Sequence, residues 1–262
     1  EAAADALAER YMSSGPRLIS AKGSRRKIKN PMYYAMMKEE LGDVDCTFCG
    51  HVNTTGDVLM AAQTVIGLAE GVDVPSILAL VDTPAFEGPE GSVIAFTDCG
   101  LNPEPTATEL ASIAISAADN VRSIMGWEPR VAFLSFSTDG SGAGTSVDRV
   151  REAIELARGR RADLAIDGEF QLDAAIRPEV ARKKVRRPSE VAGRANVLIV
   201  PNIDVGNIGI KLIQNFGHAD AYGPLLQGFK KVVCDCSRSA PVSELVGNVI
   251  MSCVRAQALR EA

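Results

Sequence analysis

Short, continuously apolar runs alternate with helix-periodic segments along nearly the whole chain, and this alternation constrains the fold most. The runs fall at 44–48, 76–81, 93–97, 131–137, 164–167, 197–200 and 231–235. Continuous apolarity is expected of strands covered by helices on both faces. Between them the periodicity predicts helices over 1–14, 31–41, 54–68, 106–125, 147–158, 172–184, 205–216 and 240–258. The 106–125 segment is the clearest. Thr106 and Glu109 have capping-box spacing, and Leu110, Ile113, Ala117, Val121 and Ile124 repeat at helical intervals. Strands alternating with helices imply βαβ units and mostly parallel sheets. The fold class is therefore α/β, and 262 residues suit two such domains.

Composition narrows the classes. Apolar residues make up 46% and charged residues 23%, ordinary globular usage that excludes disordered and fibrous chains. No apolar run approaches the roughly 18 residues that span a bilayer, so no membrane role is expected. A net charge of −5 argues against nucleic acid as the main partner. The six cysteines read as free thiols in a reducing cytoplasm rather than as metal ligands. Cys46-x-x-Cys49 and Cys234-x-Cys236 lie nearly the whole chain apart, and no metal is expected. His51 and His218 lack a hydrolase pattern around them and read as structural. Two stretches are locally basic: Lys22, Arg25, Arg26, Lys27, Lys29, and Arg177, Arg182, Lys183, Lys184, Arg186, Arg187. Each is a solvated face or a sink for the phosphates of a charged cofactor. No signal peptide is evident, and the chain opens on Glu1 inside a helical pattern, as a fragment would.

In open α/β sheets ligands sit beyond the carboxyl ends of the strands, so the loops after strands are where chemistry is sought. One runs from Ser137 to Ser146, with Gly140, Gly142 and Gly144 and several hydroxyls ahead of a helix. Glycines let backbone approach a ligand, and a helix start favours an anion. The loop reads as a small-phosphate cradle or as a flexible turn; it matches neither the dinucleotide fingerprint nor the P-loop. A second loop, Cys236 to Glu244, has Ser239 as N-cap with Pro241 in the first turn. Ser237 and Arg238 would lie at the strand end, with Glu244 one turn further in. A hydroxyl donor, a fixed cation and a carboxylate suit acyl transfer through an oxyanion, although Ser-Arg before a helix is also an ordinary cap. The remaining two loops hold Asp204, Gly206, Asn207 and Gly209, and Asp98, Gly100 and Asn102.

Taken in order, NTTGDVL, FTDCGLNPEPTATELA, LSFST-GS, IDGEFQLDAA, AGRANVLIVP, GNIGIKLIQ, GPLLQG and SR closely resemble the phosphate acetyltransferases of the phosphate acetyl/butyryltransferase family. The likeness runs from about Asn30 to about Ala256. It implies reversible transfer of a short acyl group between acyl phosphate and coenzyme A. It also implies two α/β domains with mostly parallel sheets and an active-site cleft between them, an architecture similar to the isocitrate and isopropylmalate dehydrogenases. The outer domain would combine 1–75 with 217–262 and lack its N-terminal strand–helix element; the inner would be 76–216. By resemblance Ser237 would bond the acyl carbonyl, Arg238 would bind phosphate, and Glu244, where the family has Asp, would take the proton of the CoA thiol. Ser137, Thr138, Gly140 and Ser141 would hold the phosphate, with Asn207, Gly209 and Asn102 lining the cleft. The partners implied are acyl phosphate, CoA, inorganic phosphate and a second copy in a homodimer. Two family arginines are replaced, by Met60 and Asn215, and Arg17 is the candidate for a third. Three functions follow: an active phosphate acyltransferase with altered CoA contacts or acyl preference, a catalytically weak binding or regulatory module like those fused to malic enzymes, or an acyltransferase for another acyl group such as butyryl or propionyl.

Overall fold

The structure is a computed structural model that describes every residue except Glu1, Ala85, Arg238, Ser239 and Ala262. The chain divides into two compact units, Glu1–Glu70 with Pro224–Ala262, and Gly71–Gly223. The first opens with α1 (Ala2–Ser13), α2 (Ala21–Lys27), α3 (Pro31–Glu40), β1 (Cys46–Phe48) and α4 (Thr55–Val65). The second contains β2 (Ser76–Asp82), β3 (Val93–Thr97), α5 (Ala107–Met125), β4 (Arg130–Leu134), α6 (Thr145–Arg160) and β5 (Ala165–Phe170). It continues with α7 (Leu172–Ile176), α8 (Pro178–Lys184), β6 (Val197–Ile199) and α9 (Ile203–Gly217). The strand β7 (Asp220–Gln227) leads back to the first unit, which ends with β8 (Val232–Cys234) and α10 (Val242–Glu261).

In the second unit the strands run in the order β2-β3-β6-β4-β5. All neighbours are parallel except β2 and β3, where Leu80 faces Ala95. No helix separates that pair, so it lacks the crossover a parallel pairing needs. The centre of the unit is α5. Its stripe of Leu110, Ala111, Ile113, Ala114, Ala117 and Val121 is buried, and the alanines let it approach its neighbours closely. The expected capping box is formed: Glu109 N–H donates to Thr106 Oγ1, and Thr106 N–H to Glu109 Oε2 at 2.7 Å. In the first unit β1 and β8 pair in parallel, with Thr47 beside Val233. Tyr11, Met36, Met37, Val58 and Leu226 form its core. There the Tyr11 hydroxyl donates to the Val65 carbonyl at 3.0 Å, which satisfies the one polar atom that the ring buries.

Three elements depart from the expectations. The single helix expected over 172–184 is two, α7 and α8, because Pro178 has no N–H to continue the ladder and holds Arg177 extended. Helix α2, started by the Ser20 hydroxyl accepting from Gly23 N–H, forms within the first basic stretch. Strand β7 lies outside the expected runs, and it forms although its Pro224 has no N–H to give a ladder. Among the described residues no helix is long and apolar enough to cross a membrane.

Candidate functional site

The loop after β4 is not an open chain of donors. The Ser137 hydroxyl is buried and donates to Glu169 Oε1 at 2.6 Å, and Gly142 N–H donates to Ser137 Oγ at 2.8 Å. Gly140 N–H donates to the same Glu169 oxygen at 3.1 Å, and Asp139 N–H to the Glu169 main-chain carbonyl at 3.1 Å. Thr138 is buried too. Its N–H donates to Ser141 Oγ, and its own Oγ1 accepts from Gln171 N–H at 2.8 Å. Asp139 and Gly140 take positive φ, which makes the sharp turn. Gly142 leaves room for its neighbours: a Cβ there would stand 2.7 Å from the exposed Phe136 ring, which would have to move, and 3.1 Å from Ser137 Cβ. The loop then enters α6 at Gly144, which supplies no side-chain cap.

Behind the loop lies a mesh of ion pairs that sequence reasoning missed. Arg151 donates through Nε and Nη2 to the two oxygens of Glu169, at 3.0 and 2.9 Å. Asp167 receives Arg158 at 2.8 Å, both Nη groups of Arg187 at 2.9 and 2.7 Å, and the Ser189 hydroxyl. Arg187 also donates to Asp139 at 2.9 Å. Burial alone would raise the Glu169 carboxyl, but bonds from Arg151, Ser137 and Gly140 outweigh it and hold it at about 2. These groups border a cavity of about 670 Å³ lined by Gly140, Gly142, Arg151, Arg158, Glu169 and Arg187. Its arginines already have carboxylate partners. From the second basic stretch, Lys184 likewise bonds Asp173 and Gln171. No signal within the loop itself marks Glu169, which lies 32 residues downstream.

A second cavity of this unit, about 530 Å³, lies beyond the carboxyl ends of β3, β4 and β6. It is apolar, with Phe96, Phe136, Val205 and Leu212 among its walls and Arg149 and Asn202 at its edge. Gly209 borders it, and a Cβ there would stand 3.1 Å from the Phe96 ring. Asn102 is a tie: its amide donates to Asp98 Oδ2 at 2.6 Å and to the Pro75 carbonyl at 2.9 Å. Asp98 is buried, which pushes its carboxyl up, and it also accepts from Ile77, Gly100 and Asn102 main-chain N–H groups. The Asn207 amide reaches the Cys99 carbonyl at 3.4 Å.

In the first unit Ser237 follows the buried Cys236 and is exposed, its carbonyl accepting from Ala240 N–H at 3.1 Å. Arg238 and Ser239 lie outside the described residues. Pro241 stands just before α10 rather than within its first turn, its carbonyl accepting from Leu245 N–H. Glu244 occupies that first turn, and burial raises its carboxyl. The loop is anchored by Asp235, another residue the sequence did not single out, whose Oδ2 accepts from Thr55 Oγ1 at 2.6 Å. Gly50 makes room for it: a Cβ there would lie 2.0 Å from Asp235 Oδ1. Met60 and Asn215 are exposed, and Asn215 bonds only its own helix, at the Lys211 carbonyl, among the described contacts. Arg17 is tied inward to Glu40 at 2.8 Å and stacks over Tyr11. The six cysteines are free. Among the described residues no group of three or more His, Cys, Asp and Glu could hold a metal ion.

Comparison with known proteins gives a consistent result. The sequence pattern of the family described as phosphate acetyl/butaryl transferase matches residues 1–253. The chain is 45% identical over 234 residues to a phosphate acetyltransferase of Clostridium acetobutylicum, covering 89% of this chain and 70% of that one. It is 42% identical over 239 residues to a phosphate acetyltransferase of Thermoanaerobacterium thermosaccharolyticum, covering 91% and 73%. A phosphotransacetylase structure from Streptococcus pyogenes superimposes with a TM-score of 0.85 at 35% identity, covering 98% of this chain and 74% of that one. One from Staphylococcus aureus gives 0.82 at 35%, covering 97% and 74%.

Proposed function

The chain belongs to the phosphate acetyl/butaryl transferase family, and from that premise we propose how its own residues carry the reaction. The enzyme is a phosphate acetyltransferase that converts acetyl-CoA and phosphate reversibly into acetyl phosphate and CoA. The observation that carries this is the 45% identity to such an enzyme over 89% of the chain. The relatives are enzymes, which does not favour the reading as a binding module.

In the direction of acetyl-CoA synthesis, the CoA thiolate attacks the carbonyl carbon of acetyl phosphate. A C–S bond forms, the C–O bond to phosphorus breaks, and phosphate leaves with that electron pair. Near neutrality a thiol is mostly protonated, so a base is needed. Glu244 takes that proton; its carboxyl is raised by burial, which makes it a stronger base than an open glutamate. Ser237 donates to the carbonyl oxygen as it gains charge, and Arg238 binds the phosphate as it departs. The loop from Ser137 through Thr138, Gly140 and Ser141 to the start of α6 receives the phosphate end. Asn102, Asn207 and Gly209 hold the neighbouring loop and helix in place.

We also infer a homodimer. Its support is the apolar surface of the second unit, where Phe136, Leu172, Ile208 and Leu212 are exposed and Phe216 is 80% exposed. Patches of that kind mark interfaces, and light scattering reads the mass directly. Free cysteines suit a reducing cytoplasm, where we place the enzyme.

The test is consumption of CoA thiol with acetyl, propionyl and butyryl phosphate. Turnover with acetyl phosphate is expected, and no turnover with any of the three sinks the proposal. Ser237→Ala is expected to lower kcat by about 10²- to 10³-fold, as loss of one oxyanion donor does elsewhere, with unchanged melting. Unchanged kcat would remove Ser237 from the reaction.

A further inference from the structure

We infer that Glu169 is a positioning residue for the phosphate end of the acyl phosphate, acting through the loop it holds. The inference rests on the reading that this loop receives the phosphate. Its premise is that three glycines in eight residues, 137–144, give a segment with no shape of its own. The shape is imposed from behind. One carboxylate oxygen of Glu169 takes both the Ser137 hydroxyl and the Gly140 N–H, and its carbonyl takes Asp139 N–H. From α6, Arg151 grips both carboxylate oxygens. A single side chain thus joins β5, the loop and α6.

Two consequences follow. First, Ser137 and Gly140 direct their donors inward at Glu169. The outward donors are those of Ser141, which is exposed and whose hydroxyl accepts from Thr138 and keeps its own proton to give, and the first amides of α6. Second, a bare carboxylate behind a phosphate would repel it. Arg151 cancels that charge, so the loop gains an internal anion as scaffold without an opposing field. Ser137 therefore serves the phosphate indirectly.

The test uses the full chain with acetyl phosphate and CoA varied separately. Glu169→Gln keeps the size of the side chain but has only one acceptor oxygen, so its NH2 must face donors, either Ser137 and Gly140 or Arg151 Nε, and the charge that Arg151 grips is lost. It is expected to raise KM for acetyl phosphate at least tenfold and leave KM for CoA within twofold. A merely structural defect would move both together or lower kcat alone, and either result overturns the inference, as does no change. Ser137→Ala is expected to raise KM for acetyl phosphate in the same way. In the double variant the two effects are not expected to multiply, because both break one bond; multiplied effects would place Ser137 on the phosphate itself and refute the inference. Should Glu169→Gln fail to fold, an unchanged KM in Ser137→Ala still refutes the inference. Ser141→Ala separates the layers. If it raises KM for acetyl phosphate while Glu169→Gln does not, only the inference falls. If Ser141→Ala changes nothing, the loop does not receive the phosphate and both fall.

Discussion

Replacing Glu39 by Gln should abolish a pH dependence of stability that the wild-type first unit carries. Glu39 on α3 is fully buried and accepts from the Thr47 hydroxyl of β1 at 2.5 Å. Burial dominates its environment; Thr47, the Val232 backbone, Lys231 and Arg255 offset only part of it, and the carboxyl is raised from an ordinary 4.5 to about 7. The folded state therefore holds this proton more tightly than the unfolded state does. Its contribution is fully present below pH 4.5 and lost as pH rises through 7. A gap of about 2.5 units at 1.36 kcal/mol each corresponds to roughly 3 kcal/mol lost between about pH 4.5 and 8. Glutamine keeps an acceptor for Thr47 and cannot titrate. Fluorescence would miss the effect, because the single tryptophan, Trp127, is in the other unit. Amide exchange of peptides covering α3 and β1 reads it locally, with wild type and variant compared at each pH so that intrinsic exchange rates cancel. The variant-minus-wild-type difference should grow by about 3 kcal/mol from pH 4.5 to 8. A difference constant across that range would refute the reasoning.

Two further outcomes are expected. Gly206→Ala should destabilise the second unit by about 1–3 kcal/mol or more, since its Cβ would stand 2.1 Å from the Asp98 carbonyl oxygen and both partners are backbone; urea unfolding followed by Trp127 fluorescence checks it, and an unchanged midpoint would contradict the packing. In thiol labelling at pH 8, exposed Cys253 should react first, while Cys49 and Cys99, pushed by burial to about 12, should react only on unfolding; peptide mapping of the label that finds Cys49 or Cys99 modified first would contradict it.

The α/β class was legible because burial on both faces leaves a mark that survives in a single sequence, the continuous apolar run. The run at 93–97 is β3 itself, and Thr106 with Glu109 caps α5 as their spacing implies. The misreadings came where local signals compete. Pro178 both ends one helix and starts another, and a periodicity window spans the break. Pro224 argues against a strand, yet β7 forms, and it meets β8 antiparallel at Leu225 and Cys234. Short α2 has little apolar periodicity to announce it, and its boundary rests on a Ser20 cap inside a basic run. For the site, local reading found the loops that hold Ser137 and Ser237 but not the groups that shape them. Glu169 and Asp235 act on loops to which long-range folding brings them, and spacing carries no trace of that.

That difference bears on how a glycine-rich loop binds an anion at all. If the phosphate alone organised residues 137–144, the entropy of ordering them would be deducted from its binding, at about 1–2 kcal/mol for each residue fixed. An internal carboxylate removes that deduction. Glu169 is held at about 2, so it stays ionised throughout the working range, and its bonds to Ser137 and Gly140 shape the loop before any substrate arrives. The cost is that Ser137 and Gly140 spend their donors on Glu169. Fewer donors in fixed positions stabilise a departing phosphate better than more donors that must be gathered, because no reorganisation accompanies the reaction. A loop that looks, by composition, like a set of ligand donors is on this argument divided into an inner set that fixes its form and an outer set that meets the substrate.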